Sequence, residues 1–388
     1  MRDRPAFRYA LPLGLALLLA AYWADATLGL LPYVPSVENR APRPRPPVKL
    51  DHLDPFPAAY EDYFNDHFRW RGRFQRLDAH LKRWTGDRSP LPDLVTPGRA
   101  GWFYKGGLQM DLYRGKRRFS PGGLDAAVAE LRRRRDSVAA RGGHYYLVVA
   151  PLKAHVYPQY LPEYATVLHR DYAARQLYAR LGAAGVSYVD LHTPLAAAAA
   201  RDSLPLYFRT DHHWTDAAGL LAARTIVDRL VADGRLPHPL DPADFYFSRD
   251  TLDGMVLAKF ALRNHPGQEL RPVLHRHGGW LTEEIPRPDV ATPPGFRTNG
   301  NYLVERRRHD PAAAARLPRL FCVRESFGEN ILRPLSEPFG RSVYLFDNWI
   351  HGLNPGEYRR EGGDVFLQLV WEGFILNLQM DYVEDRGW

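Results

Sequence analysis

The stretch Tyr207-Phe208-Arg209-Thr210-Asp211-His212-His213-Trp214-Thr215 puts one carboxylate, two imidazoles and an aromatic wall into nine residues. An aspartate beside a histidine fixes the imidazole tautomer and raises its basicity, which a hydroxyl nucleophile requires. In an extended segment, side chains at i and i+2 share a face. Asp211 and His213 would then stand together and His212 would point away. A polar surface loop without chemistry has the same composition. The matching nucleophile is sought in Arg319-Leu320-Phe321-Cys322-Val323-Arg324-Glu325-Ser326-Phe327-Gly328. Leu320 to Val323 reads as a short buried strand, and Ser326 follows where the strand gives way to a helix. There it is exposed at the carboxyl edge of a sheet, and helix N-terminal amides can stabilise an oxyanion. An N-cap serine occupies the same place for a different reason. The Asp-x-His pair elsewhere in the chain favours the nucleophile.

Thr210-Asp211-His212-His213-Trp214, with the later Arg324-Glu325-Ser326-Phe327, resembles the SGNH-hydrolase-like DHHW proteins and the alginate O-acetyltransferases related to them. Further stretches resemble that family in the same order. They are Tyr63 to Arg69 with Arg71, Gly98-Arg99-Ala100-Gly101-Trp102-Phe103-Tyr104, and Val149 to Pro158 followed by Leu161-Pro162. The resemblance covers roughly residues 55 to 375. It implies a triad of Ser326 as nucleophile, His213 as base and Asp211 as orienting acid, in an order permuted from ordinary SGNH hydrolases. It further implies an extracytoplasmic O-acetyltransferase modifying an exported polysaccharide through an acyl-serine, with a membrane-bound O-acyltransferase as acetyl donor. Neither cofactor nor metal is implied. A departure is Glu325, where the family more often has Asp or a small residue. The same triad would serve an esterase, and a catalytically silent scaffold of exopolysaccharide assembly is the reading from another class. The chain's end at Trp388 leaves no room for a carbohydrate-binding module after the catalytic domain.

The elements that must position these groups alternate between helix and strand. Tyr145 to Ala150 and Val186 to Leu191 read as strands, with helices before and between them (the Gly122 to Gly142 region and Leu177 to Leu181). Such alternation predicts an α/β fold, a parallel sheet flanked by helices in flavodoxin-like layering. Lys153 falls just past a strand end, where ligands gather in open α/β sheets; it could touch substrate or the triad, or form a structural ion pair. Thr215 is read as the cap of a helix running to about Ala232. Residues 235–318 break the alternation and read as an insertion covering one sheet edge, with short strands at Asp244 to Ser248 and Met255 to Leu262. Later strands are read at Ser342 to Phe346 and Val365 to Val370. Asn348 lies just beyond a strand end and could donate to an oxyanion. Lys153, His212, Trp214 and Asn348 are thus the candidate substrate-binding or oxyanion groups. The Arg132 to Arg135 run reads as a solvated face. His265, His275 and His277 lack nearby paired carboxylates and read as ordinary surface histidines rather than a metal site.

The 388-residue composition, 45% apolar, 25% charged and 12% aromatic, is that of a folded protein. A net charge of +8 without a basic block interleaved with aromatics gives no sign of nucleic-acid binding. One cysteine, Cys322, excludes an intramolecular disulfide and a multi-cysteine zinc site; within the core strand it reads as a buried thiol. Arg2, Arg4 and Arg8 precede an apolar run from Tyr9, interrupted by Asp25 and resumed to Val34. That pattern predicts a cytoplasmic N-terminus and an exported remainder. An uncleaved single-pass anchor over 1–35 is favoured over cleavage after Ala26, which places the rest at the bacterial inner membrane, facing the periplasm or outside. Residues 36–50 are a Pro-rich basic linker, and 51–388 form the catalytic domain. Its first segment, Pro57 to Trp84, reads as one amphipathic helix with Tyr60, Phe64, Phe68, Phe74, Leu77 and Leu81 as a packing stripe.

Overall fold

The computed structural model describes residues 5–36, 42–48, 54, 56–84, 91–201, 204–260, 267–285, 303–346 and 352–380. The chain divides into two compact units, Met1–Leu91 with Lys259–Arg263, and Pro92–Ala258 with Asn264–Trp388.

In the first unit, helix Pro5–Leu28 contains an apolar stretch, Tyr9–Leu28, long enough to cross a membrane. Asp25, the interruption noted in that run, is buried. It accepts hydrogen bonds from Leu31 N at 2.6 Å, Arg69 Nε at 3.0 Å and Trp70 Nε1 at 2.6 Å. The single helix expected over 57–84 is two, Phe56–His67 and Arg71–Trp84. The break delivers Arg69 and Trp70 to Asp25, and a tertiary bond of this kind overrides local periodicity. Phe68 stacks on Tyr22 and Phe74. Tyr60, Phe64, Phe74, Leu77 and Leu81 are exposed, and only Phe68 at the centre of the expected packing stripe is half-buried.

The second unit is built on a seven-stranded sheet. Its strands are β1 His144–Ala150, β2 Ser187–Asp190, β3 Glu283–Glu284, β4 Leu303–Arg308, β5 Arg319–Arg324, β6 Arg341–Phe346 and β7 Val365–Trp371. The spatial order is β2-β1-β7-β5-β6-β4-β3. β2, β1, β7, β5 and β6 run parallel; β4 pairs antiparallel with β6, and β3 antiparallel with β4. The sheet is therefore mixed, not purely parallel. Part of the 235–318 stretch joins its edge rather than covering it. The central strands β1 and β7 are buried along nearly their whole length, which explains their continuous apolar sequence. A fully buried Val or Leu there contributes about 1.5–3 kcal/mol.

The 235–318 stretch also forms an antiparallel hairpin, Phe245–Leu252 with Glu269–Arg276. Val256–Phe260 is helical rather than a strand; Leu257 N donates to Thr210 O at 3.0 Å, tying that turn to the central loop. The helix Pro121–Ala139 corrects the solvated reading of the arginine run. Arg134 is fully buried, donating to Glu130 at 2.7 Å and to Gln368 Oε1 at 2.9 Å. The Gly98–Tyr104 turn joins strands Val95–Pro97 and Phe103–Lys105, and Gly101 takes φ +76° there, which an L side chain rarely adopts.

Candidate active site

Asp211, His212 and His213 stand at the tip of a tight loop closed by the Tyr207–Trp214 bridge. Phe208 N donates to His213 O at 3.2 Å and Thr215 N to Leu206 O at 2.9 Å. The tip is bent, not extended. Asp211 Oδ1 accepts from the His213 main-chain N at 2.9 Å, an Asx turn, and from His213 Nδ1 at 2.7 Å. The turn overturns the expectation that His212 points away: its Nδ1 is 3.0 Å from the same oxygen, out of line for a hydrogen bond. The two imidazole rings are 3.9 Å apart.

Ser326 comes from the carboxyl end of β5, at the start of the short 3₁₀ turn Ser326–Asn330. It is not the cap. Glu325 takes that role, its Oε2 accepting from Phe327 N at 3.2 Å. The serine hydroxyl is left partly exposed, 2.9 Å from His213 Nε2 and 3.1 Å from Glu325 Oε2. An ionised carboxylate only accepts, so His213 carries its proton on Nδ1 and presents a bare Nε2 to the serine.

Each half of this relay is held by buried bonds. Trp214 is fully buried, and its indole donates to Phe327 O at 2.8 Å, tying the histidine loop to the serine turn. Helix Asp216–Ala232 approaches the same turn so closely that a Cβ on Gly219 would lie 2.3 Å from Asn330 O. Asp216 accepts from Asn330 Nδ2 at 2.5 Å and Leu274 N at 3.0 Å. Thr215 precedes the helix without capping it, since its hydroxyl donates to Pro205 O instead. Lys153 is buried, with Nζ 2.6–3.0 Å from the carbonyls of Phe103, Phe208, Arg209 and Asp211 and over the rings of Trp102 and Tyr104. It grips the loop's backbone and, among the described residues, makes no ion pair. Asn348 lies outside the described residues.

Burial alone would raise the Asp211 pKa, but the contacts with His212 and His213 outweigh it and hold the carboxyl well below the usual range. Burial, and then the neighbouring His213, push His212 down to about 3, so it stays neutral. Burial pushes Lys153 down to about 7, with Asp211 and Glu269 opposing. Asp211, His212 and His213 have ligand atoms within 4.8 Å of one another. Yet the Nδ1 proton of His213 is committed to Asp211 and its Nε2 faces a serine, an arrangement suited to moving protons. His275 bonds Ser248 at 2.8 Å and stacks on Tyr246 beside His277; His265 lies outside the described residues.

Three contributors escaped the sequence reading. Glu269 accepts from Arg209 N at 2.5 Å, Thr210 N at 3.2 Å and the Thr210 hydroxyl. Lys105 lines a small cavity with Tyr104, Leu152, Lys153, His212 and Trp371. Glu372, fully buried beyond β7, accepts from Leu152 N at 2.8 Å and contacts His192 at 3.0 Å and His155 at 3.3 Å. Glu372 thereby fixes the turn that carries Lys153. No local pattern marks any of them, because most of their partners are distant in the chain.

Residues 95–276 match the family described as the SGNH hydrolase-like domain of the acetyltransferase AlgX. That match contains Asp211 and His213 and stops short of Ser326. A "Probable alginate O-acetylase AlgJ" of Pseudomonas aeruginosa is 34% identical over 110 residues, 28% of this chain and 27% of the relative. Its namesake from Pseudomonas putida is 32% identical over 101 residues, 26% of each chain. The matches thus span about a quarter of the curated relatives' length. Among solved structures, Bacillus cereus PatB1 superposes with TM-score 0.52 at 13% identity, covering 74% of this chain and 98% of that one. The O-acetyltransferase domain of Pseudomonas putida AlgJ gives 0.48 at 19% identity, over 73% and 92%. The structural likeness to PatB1 speaks for the fold alone. The resemblance read from the motifs and the SGNH-hydrolase-like α/β fold both hold.

Proposed function

We propose that this chain is an extracytoplasmic serine O-acetyltransferase that acetylates an exported polysaccharide. The Asp211–His213–Ser326 line carries the reading, with 2.7 Å and 2.9 Å between successive groups. The curated relatives are alginate O-acetylases by name, which supports acetyl transfer to an exported polymer. Ser326 Oγ attacks the donor's acyl carbon while its proton moves to His213 Nε2. The donor's acyl C–O bond breaks, and His213 returns the proton to the leaving oxygen. A sugar hydroxyl then gives its proton to His213 and attacks the acyl-serine, and the proton passes back to Ser326 as the Oγ–C bond breaks. The Ser326 main-chain N–H lies at the turn where an oxyanion would form. The reading extends to an anchor in the inner membrane through the Tyr9–Leu28 stretch and to a membrane-bound O-acyltransferase as the source of acetyl groups.

The test is intact mass of the full chain in detergent after incubation with p-nitrophenyl acetate, beside Ser326→Ala, followed by addition of deacetylated alginate. One acetyl group gained by the wild type alone, then lost to the polymer, is the expected result. Loss to water at the same rate with and without polymer would make the protein an esterase. An adduct that persists in Ser326→Ala would remove the nucleophile assignment.

A further inference from the structure

Ser326 has one hydroxyl proton and two acceptors within reach, His213 Nε2 at 2.9 Å and Glu325 Oε2 at 3.1 Å. Only donation to His213 leads to acyl transfer. Resting on the triad reading above, we propose that Glu325 is the proton-held partner of the nucleophile and switches the site. Protonated, its carboxyl donates from Oε2 to Ser326 Oγ and leaves the serine proton to His213; ionised, it takes that proton itself and silences the site.

The surroundings of the carboxyl favour the neutral form. Glu325 is buried, and among the described residues its Oε1 has no hydrogen-bond partner. A buried carboxylate with a bare oxygen is costly, while a neutral acid in the same place is far less so. Arg324, its neighbour in the chain, does not neutralise it. That guanidinium is 2.5 Å from Glu329 Oε1 and 3.4 Å from the Glu325 main-chain carbonyl. The other groups facing the carboxyl are the Phe327 N–H at 3.2 Å, the Ser326 hydroxyl, His213, and the fully buried Tyr207. Tyr207 gives its own proton to Pro151 O. Among the described residues no Lys or Arg pairs with Glu325. Burial pushes it up to about 7, against the Phe327 amide, His213, Ser326 and Arg324, which pull it down.

Two effects act in the same direction when the proton leaves. A carboxylate is a stronger acceptor than a neutral imidazole, because charge-assisted bonds are about twice as strong as neutral ones. Its charge also opposes the negative charge that develops on the attacked carbonyl oxygen. Throughout turnover the Glu325 proton stays in place, so the balance of the acyl-transfer steps is unchanged.

The experiment uses the full chain in detergent with p-nitrophenyl acetate as probe. Acylation of the wild type should fall by about tenfold per pH unit above about pH 7. In Glu325→Gln the amide donates to Ser326 at every pH, so the profile, scaled to its own acid plateau, should lose that falling limb. A flat alkaline plateau in the wild type would overturn the proposal without recourse to any variant. So would a falling limb that survives in Glu325→Gln, or a Glu325→Gln protein that folds and is inactive at every pH, as a purely structural cap would give. The proton can also be read without turnover. The carbonyl stretch of a protonated carboxyl should vanish from infrared difference spectra between about pH 6 and pH 8, and be missing in Glu325→Gln. Absence of that band overturns the proposal even if Ser326 proves reactive. Turnover in Ser326→Ala equal to wild type would instead remove the triad reading, and the switch with it.

Discussion

His213 Nε2 and Ser326 Oγ stand 2.9 Å apart although 113 positions separate them in the chain. Three ties hold this pair together: the Trp214 indole on the Phe327 carbonyl, the Asp216–Asn330 hydrogen bond, and the close approach of Gly219 to Asn330. The pair is a consequence of packing between the loop before a long helix and the turn after β5.

Removing either end of the pair should abolish acylation without unfolding the protein. His213→Ala is expected to lower the acylation rate by about 10²- to 10⁴-fold, and Asp211→Asn to lower it through loss of the tautomer that leaves Nε2 bare. Stopped-flow release of p-nitrophenol measures both. Wild-type rates in His213→Ala would rule it out as the base.

Gly219→Ala separates two effects of opposite sign. Helix propensity alone would make the variant more stable by about 1 kcal/mol. The added Cβ would meet Asn330 O at 2.3 Å, so the serine turn must shift. We expect a net loss of about 1–3 kcal/mol and a larger proportional loss of acylation. Urea unfolding gives the first quantity; a stabilised and fully active variant would contradict the close packing.

Lys153→Met would leave the carbonyls of Phe103, Phe208, Arg209 and Asp211 without their cation. The cost should be about 3 kcal/mol. Turnover should fall more steeply than substrate affinity, because the four carbonyls that Lys153 holds fix where Asp211 sits. Separate measurement of kcat and KM decides; a change confined to KM would make Lys153 a substrate contact instead.

His192 predicts a pH dependence of stability. Burial alone would lower its pKa, but Glu372 and Asp190 raise it to about 9, above its ordinary 6.5. A histidine whose folded pKa is raised stabilises fully below the unfolded value and ceases to do so as pH climbs through the folded one. The wild type should therefore exceed His192→Gln by about 3 kcal/mol near pH 6, with the gap closing as pH passes about 9. Chemical unfolding at a series of pH values tests this, and a gap independent of pH would mean the pair is not ionised.

That Asp211, His213 and Ser326 come together was legible because the proposed acid, base and nucleophile are chemical types, and because the strand before Ser326 and the helix after Thr215 announce themselves by local periodicity. The α/β layering was legible for the same reason. What short-range pattern cannot carry is direction. His212 was expected to point away, and only the Asx turn at Asp211 brings it to the same carboxylate. Ser326 was open to reading as a cap until Glu325 took that place. The helix expected over 57–84 breaks because Asp25 draws in Arg69 and Trp70 from more than 40 residues away.

The sequence by itself determined the residue types of the proposed triad, the strand and helix that flank them, and the apolar stretch at the N-terminus. Tertiary structure alone decided that Glu269 and Lys153 clamp the histidine loop, that Arg134 is buried, that an antiparallel pair of strands extends the sheet, and that the Glu325 carboxyl lies 3.1 Å from the Ser326 hydroxyl. The physical reason is common to all of these. Burial and long-range hydrogen bonds set where a charged side chain points and whether it keeps its proton, and neither is encoded in the spacing of nearby residues.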